Sequence, residues 1–140
     1  MYTKEYDINN QEEAIKYFIT QMDIEMIDAF LEAKNTYQDM DKEKFLSKLE
    51  RVFQSFRNFG DTFLLPHQGR CNNCYKDKLG YTFVGNFSFN YISIIVDSEK
   101  GTINDMFECS SFMNDNQSLK LNKKLHIDDF FIDFLSAKRK

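Results

Sequence analysis

The chain has 140 residues, a formal net charge of −4 and 42% apolar residues, values typical of one globular domain that buries its core without disulfide bonds. Its Lys and Arg residues are scattered among Asp and Glu, so we expect no broad basic face and exclude nucleic acid as a partner. No stretch approaches the ~18 apolar residues of a membrane span, and the N-terminal residues lack the apolar segment of a signal peptide. We therefore expect no membrane association and a cytoplasmic location.

The first half of the chain, residues 11–60, has the apolar spacing of helices. Residues 11–33 carry two apolar stripes separated at Asp23, which predicts a helix, a kink and a short second helix capped by Asp23. A stronger helix is predicted to start at Asp39 or Asp41 and to end at Gly60. Its apolar residues repeat at intervals of three and four: Phe45, Leu49, Val52, Phe53, Phe56 and Phe59.

The second half, residues 62–112, has the period of strands. Residues 62–70 are predicted to form a strand, which Pro66 restricts to an edge or bulged position. Residues 80–89 alternate aromatic and smaller side chains, with a bulge or turn predicted at Gly85 and Asn86. Residues 90–97 and 102–109 are separated by a turn-rich link and predict a hairpin.

Helices followed by strands predict a single α+β domain over residues 1–140, with the N-terminal helices packed on an antiparallel sheet. A polar loop then precedes a C-terminal segment, residues 125–137, which is predicted to be a short amphipathic helix. That segment contains five large apolar side chains: Ile127, Phe130, Phe131, Phe134 and Leu135. Because these side chains must be covered, we expect the segment to pack on its own sheet or to pair two copies as a homodimer.

The run IKYFITQMDIEMIDAFLEAKNTYQD, followed by a long helix and antiparallel strands, resembles the nuclear-transport-factor-like (SnoaL-like, cystatin-like) α+β superfamily. The matching motifs are Met22-Asp23, Ala29-Phe30-Leu31-Glu32 and Thr36-Tyr37-Gln38-Asp39, and the match covers roughly residues 11–110. The resemblance implies a cone-like sheet curved around the helices, with a pocket that members use for catalysis, for small-molecule binding or for pairing with another subunit. The cysteines described next are not a general feature of this superfamily, and suggest an uncharacterised bacterial family within it.

The clearest chemical feature is a group of candidate zinc ligands, His67-x3-Cys71-x2-Cys74 together with Cys109. Two cysteines separated by two residues have the spacing of a zinc knuckle, in which one turn directs both sulfurs to the same point. His67 precedes them at the expected end of a strand, and antiparallel pairing can bring Cys109 beside the loop. Four such ligands leave no position for water, so the expected Zn²⁺ is structural. Two alternatives stay open: thiols with no shared role, and a redox pair of Cys71 and Cys74.

A second group of residues could line a pocket for a small ligand: Tyr81, Phe83, Phe89, Tyr91 and Asp105. The tyrosine hydroxyls would be its polar points, although aromatic alternation is also what a half-buried strand shows. By period two, Asp105 should share a face with Ile103 and Phe107, and burial of that face would raise its pKa. His126 is expected to be a surface residue at the start of the C-terminal helix.

These features support three functions of different classes. The first is a zinc-stabilised binding or interaction module without chemistry of its own. The second is a SnoaL-like pocket enzyme or small-ligand binder, in which Asp105 and a tyrosine act as acid–base or orienting groups. The third is a thiol redox sensor, which requires an accessible thiol of low pKa. No catalytic signature identifies a reaction, so enzymatic activity is left open.

Overall fold

The computed structural model describes residues 11–71, 79–99, 102–109 and 112–127. Within these ranges α-helices come first and the strands of the main sheet follow them. The α+β class expected from the sequence is therefore confirmed. The helices are α1 (Gln11–Thr20), α2 (Ile24–Phe30) and α3 (Lys42–Asn58). The strands are β1 (Thr36–Tyr37), β2 (Met40–Asp41), β3 (Leu64–Cys71), β4 (Leu79–Gly85), β5 (Tyr91–Glu99), β6 (Thr102–Glu108) and β7 (Phe112–Asn114).

Side-chain and glycine caps set the helix boundaries where the sequence predicted them. The Asp23 carboxylate accepts a hydrogen bond from the Met26 N–H at 3.2 Å at the start of α2. Asp41 caps α3 in the same way. At the other end of α3, Gly60 has a φ of +97°, and the N–H groups of Gly60 and Asp61 donate to carbonyls of the last helical turn. This pair of bonds is a Schellman motif, which satisfies carbonyls that the helix leaves without partners.

The connection between β6 and β7 forces the main sheet to curl. Its strand order is β6-β5-β4-β3-β7, and all neighbours are antiparallel, so β6 and β7 lie at opposite edges. In a flat five-stranded sheet these edges would be about 19 Å apart. Only residues 109–111 connect the two strands, and the four Cα steps involved reach at most about 14 Å. The sheet must therefore bend until its edges approach each other.

The two faces of this sheet have separate cores. The helices cover one face, and α1, α3 and the central strands supply most of this main core, including Phe45, Phe53, Phe56, Phe83, Ile92 and Ile94. The opposite face has a smaller second core made of Cys71, Ile95, Phe107 and Cys109, with Phe112 packed against them. Alternation along β5 explains the division, because Ile94 points to the main core and Ile95 to the second.

The predicted alternation along β6 is wrong. Asp97 pairs with Asp105, but the next pair along is Ser98 with Ile103, so Asn104 is an extra residue on β6. A β-bulge of this kind interrupts the alternation of side chains between the two faces. Ile103 therefore lies in the main core, whereas Phe107 lies in the second core, and Asp105 shares a face with Phe107 but not with Ile103.

Of the bulge or turn predicted at Gly85 and Asn86, the structure has a turn: β4 ends at Gly85, and a buried carboxylate organises the turn that follows. Asp61 is 2% exposed. One of its oxygens accepts from the N–H groups of Phe87 and Ser88 at 2.8 and 2.7 Å, and the other accepts from the Ser88 hydroxyl at 2.6 Å. The turn therefore takes Phe87 and Phe89 out of the sheet, although they continue the aromatic pattern of β4.

The last described residues run along the start of β5. The Leu125 N–H donates to the Tyr91 carbonyl at 2.7 Å, and Ile127 is buried in the main core. Residues 125–127 are not helical, and residues 128–137 of the predicted amphipathic helix lie outside the described residues. Pairing of two copies through this segment stays a prediction. Within the described ranges, no helix is both long enough and apolar enough to span a membrane.

The Asp61 turn gives a testable stability difference. We expect Asp61→Ala to lower the free energy of unfolding by about 3 kcal/mol, because it removes the acceptor of three part-buried hydrogen bonds, from two N–H groups and a hydroxyl. The control is Asp41→Ala, which removes an exposed helix cap and should cost about 1 kcal/mol. Urea unfolding of both variants measures the difference. Equal losses would contradict a central role for Asp61.

Candidate functional site

Cys71 and Cys109 meet on the face of the sheet opposite the helices. Cys71 ends β3 and Cys109 directly follows β6. Their Sγ atoms are nevertheless 2.8 Å apart. Both residues are buried, at 2% and 0% exposure, and they form no disulfide bond. The separation exceeds the S–S bond length of about 2.05 Å by less than 1 Å. Two thiols this close are placed to share a ligand or to bond to each other.

Two contacts hold the sulfurs in this position. The Cys109 N–H donates to the Ser93 carbonyl at 3.0 Å, which extends the β5–β6 pairing by one residue. Three residues later, Phe112 pairs with Cys71 as β7 joins the edge of β3. The two anchor points are three residues apart in the chain, which places Cys109 near the end of β3.

A pair of glycines makes room for this crossing. Gly69 and Gly80 lie opposite each other on β3 and β4. A Cβ atom on Gly69 would lie 2.4 Å from the Phe112 ring, and one on Gly80 would lie 3.1 Å from it. The ring therefore occupies space that a side chain at either position would fill. Phe112 packs there, beside the cysteines, and anchors β7 to the second core.

His67 shares the face of the two cysteines but lies away from their sulfurs. It is four residues before Cys71 on the same strand, which corresponds to about 13 Å along a strand. It pairs across the sheet with Thr82, whose buried hydroxyl contacts that of Ser93 at 2.7 Å. Among the described residues, no group of three His, Cys, Asp or Glu side chains could hold a metal ion. Cys74, the remaining predicted ligand, lies outside the described residues.

The five predicted pocket residues are separated by the sheet. Tyr81 and Phe83 point into the main core, where the Lys16 ammonium lies 4.9 Å from the centre of the Tyr81 ring. Tyr91 precedes Ile92 and therefore points to the opposite face. Phe89 lies in the turn after β4, and the Lys120 ammonium lies 4.6 Å from the centre of its ring. The structure thus brings Tyr81 and Phe83 together but leaves Tyr91 and Phe89 apart from them.

Asp105 attaches the small β1–β2 hairpin to the edge of the main sheet. Its carboxylate accepts from the Gln38 N–H at 3.0 Å, while the Gln38 side chain accepts from the Glu108 N–H at 2.7 Å. Partial burial raises the pKa of Asp105. Its backbone hydrogen bonds lower this pKa, and the nearby Asp39 and Asp97 carboxylates raise it further. These contacts give Asp105 a structural role.

The pairing of Glu108 with His126 is a feature that the sequence analysis missed. The buried Glu108 carboxylate contacts the His126 Nδ1 and accepts from the Ile127 N–H at 3.0 Å. Burial raises the pKa of Glu108, and the adjacent His126 opposes that rise. His126 was expected on the surface of a helix. It instead helps to hold residues 125–127 over the main core.

A groove of about 730 Å³ lies between α2 and α3, away from the cysteines. Its walls combine apolar Ile24 and Leu46 with several acidic residues. The ammonium of Lys42, which also lines it, is bound by the Asp28 carboxylate at 2.8 Å and by the Leu31 carbonyl at 2.9 Å. The groove is open and its lysine is already bound by Asp28 and Leu31, so it has fewer marks of a functional site than the cysteine pair.

No protein-family model matches the chain, and neither a curated protein nor a solved structure is significantly similar to it. The resemblance to the nuclear-transport-factor-like superfamily therefore stays a prediction. Function has to be inferred from the chemistry and geometry of the residues themselves.

The raised pKa of Asp105 predicts a pH-dependent effect of Asp105→Asn. A carboxyl group with a raised pKa stabilises the fold below its ordinary pKa, and this stabilisation is lost as the pH rises through the raised value. At pH 3.5 the wild-type protein and Asp105→Asn should therefore have similar melting temperatures. At pH 7 the wild-type protein should melt at a lower temperature than the variant. Thermal melts across this range test the expectation, with Asp115→Asn, an exposed carboxylate, as the control. A difference between wild type and Asp105→Asn that does not change with pH would contradict it.

Proposed function

We propose that the protein is a small interaction module whose curled sheet is fastened by a structural zinc ion. The thiolates of Cys71, Cys74 and Cys109 would be its ligands. The observation that carries this proposal is the contact between the sulfurs of Cys71 and Cys109, residues 38 positions apart in the chain. Neither fold class nor composition would require two cysteines to meet in this way.

The chemistry of the pair suits Zn²⁺. Thiolates are preferred ligands in structural zinc sites, and burial of both residues suits a closed site without bound water. Zn–S bonds of about 2.3 Å in a tetrahedron separate two sulfurs by about 3.8 Å, so the pair would open by about 1 Å on binding. Cys74 follows Cys71 at the knuckle spacing and supplies the third thiolate. His67, on the same face, is the proposed fourth ligand, and it would reach the sulfurs only if the β3–β4 pairing at His67 and Thr82 rearranged on binding.

A metal ion would stabilise the weaker of the two cores. Apart from the cysteines, the second core consists of Ile95, Phe107 and Phe112. This small cluster has to hold together a sheet whose edges are bent towards each other. A structural zinc site contributes an apparent free energy of roughly 10–16 kcal/mol at neutral pH, far more than these three side chains supply by burial.

The surroundings of the sulfurs favour a structural role over catalysis. A pocket enzyme needs acid–base groups that converge on a cavity. Asp105 is engaged by Gln38, and Tyr81 and Phe83 are packed in the main core on the other side of the sheet. An interaction module needs only a rigid surface, which the fastened sheet would provide. The SnoaL-like origin and the cone-like shape expected from it belong to the same proposal, supported by the curved sheet and the order of elements.

Metal analysis tests the zinc site. Protein purified without chelator should contain about one zinc ion per chain by elemental analysis. We expect Cys71→Ser and Cys109→Ser to lose the metal and to melt well below the parent, because each removes a thiolate and leaves the sheet edges unfastened. Wild-type protein without metal, or serine variants that keep it, would overturn the proposal.

Histidine variants test the fourth ligand separately. His67→Ala should bind zinc more weakly than wild type in a competition titration with a chromogenic chelator. His126→Ala is the matched control, because this imidazole contacts Glu108 and should leave the zinc affinity unchanged. Equal affinities for His67→Ala and wild type would remove His67 from the ligand set without affecting the three thiolates.

A further inference from the structure

We propose that Cys71 and Cys109 form an intramolecular disulfide bond when the protein meets a hydroperoxide, and that this bond replaces the zinc ion. The proposal deepens the zinc function by adding its regulation. It rests on that function only for the release of metal. Formation of the bond itself depends on the thiol pair alone, so the two ideas can fail separately.

The geometry selects Cys109 as the partner of Cys71. Sequence spacing alone favours a bond between Cys71 and Cys74, the usual arrangement of a redox motif. Within the part of the chain that the structure describes, however, the sulfur of Cys71 contacts that of Cys109, at 2.8 Å. Closure to a disulfide bond requires a movement of about 0.75 Å, which side-chain rotation can supply. The backbone contacts on both sides of Cys109 can stay in place.

The reaction balances with a hydroperoxide as the oxidant. One thiolate attacks the outer peroxide oxygen, which forms a sulfenic acid and releases an alcohol, or water when the oxidant is hydrogen peroxide. The second sulfur then displaces the hydroxyl group from the sulfenic acid, so the S–S bond forms and another water molecule leaves. The two sulfurs lose two electrons in total, and the peroxide O–O bond accepts them. Zinc dissociates because thiolates, not disulfide sulfurs, are its ligands.

Burial of the sulfurs decides which oxidants can react. Cys71 and Cys109 are at most 2% exposed, and Phe112 covers them as the first residue of β7. This edge strand has three residues and, among the described strands, pairs with the end of β3 alone, so its local opening would expose the sulfurs. Hydrogen peroxide should therefore react through small openings, whereas a bulky disulfide such as oxidised glutathione should react much more slowly.

The test is peptide mapping of the oxidised protein. As-purified and chelator-treated samples of the full chain are exposed to hydrogen peroxide, blocked with N-ethylmaleimide, digested without reduction and analysed by mass spectrometry. We expect a Cys71–Cys109 link to predominate in both samples. In the metal-containing sample, one zinc ion should be released for each link formed. Oxidised protein should also melt several degrees above reduced, metal-free protein, because the bond closes a long loop.

Two variants separate the alternative pairings. Cys74→Ser should keep the peroxide-induced link, because it leaves the contacting sulfurs unchanged, whereas Cys109→Ser should lose it. A predominant Cys71–Cys74 link in wild type, or protein that stays fully alkylated after peroxide treatment, would overturn the proposal. If the link forms but the purified protein contains no metal, the disulfide stands and the zinc function fails. If metal is present and no Cys71–Cys109 link forms, the zinc function stands and the disulfide fails.

Discussion

The three-residue connection between β6 and β7 is the constraint on which the second face of the molecule depends. It is too short to join the two edges of a flat five-stranded sheet, so the sheet bends until β7 can pair with the end of β3. The second core lies beside this crossing, because Phe112 of β7 packs against its cysteines. The same path brings Cys109 to Cys71. The candidate site is therefore a product of topology, and neither cysteine could be moved along its strand without losing the contact.

Two local features make this topology workable. The extra residue at Asn104 changes the alternation along β6, so that Ile103 lies in the main core while Phe107 and Cys109 both face the second core. The facing glycines Gly69 and Gly80 leave a gap that the Phe112 ring occupies. Without the bulge, Ile103 would share the face of Phe107 and would not reach the main core. Without the gap, β7 would have no apolar anchor beside the sulfurs.

Much of this fold could be predicted from local patterns, and the rest could not for a physical reason. Caps at Asp23 and Asp41 and the hairpin of β5 and β6 are encoded by neighbouring residues, so periodicity and turn chemistry predict them. The bulge at Asn104 and the three-residue strand β7 depend on distant partners, and no local signal in the sequence marks them. His126 shows the same limit, because its contact with Glu108 joins residues 18 positions apart. The cysteine spacing predicted a site shared by Cys71 and Cys74, and antiparallel pairing predicted that Cys109 joins it; the structure describes the Cys71–Cys109 contact, whereas Cys74 lies outside the described residues.

Zinc and a disulfide bond would do the same mechanical work, since either one joins the end of β3 to the end of β6. They differ in what they require of the sulfurs. Zinc needs thiolates and room to separate them, whereas a disulfide needs them slightly closer than they are. Burial argues against a catalytic role in thiol exchange, because a protein substrate would have to reach sulfurs that β7 covers. A change of linkage at this point would therefore keep the two strand ends joined and change only the separation of the sulfurs, without turning over a substrate.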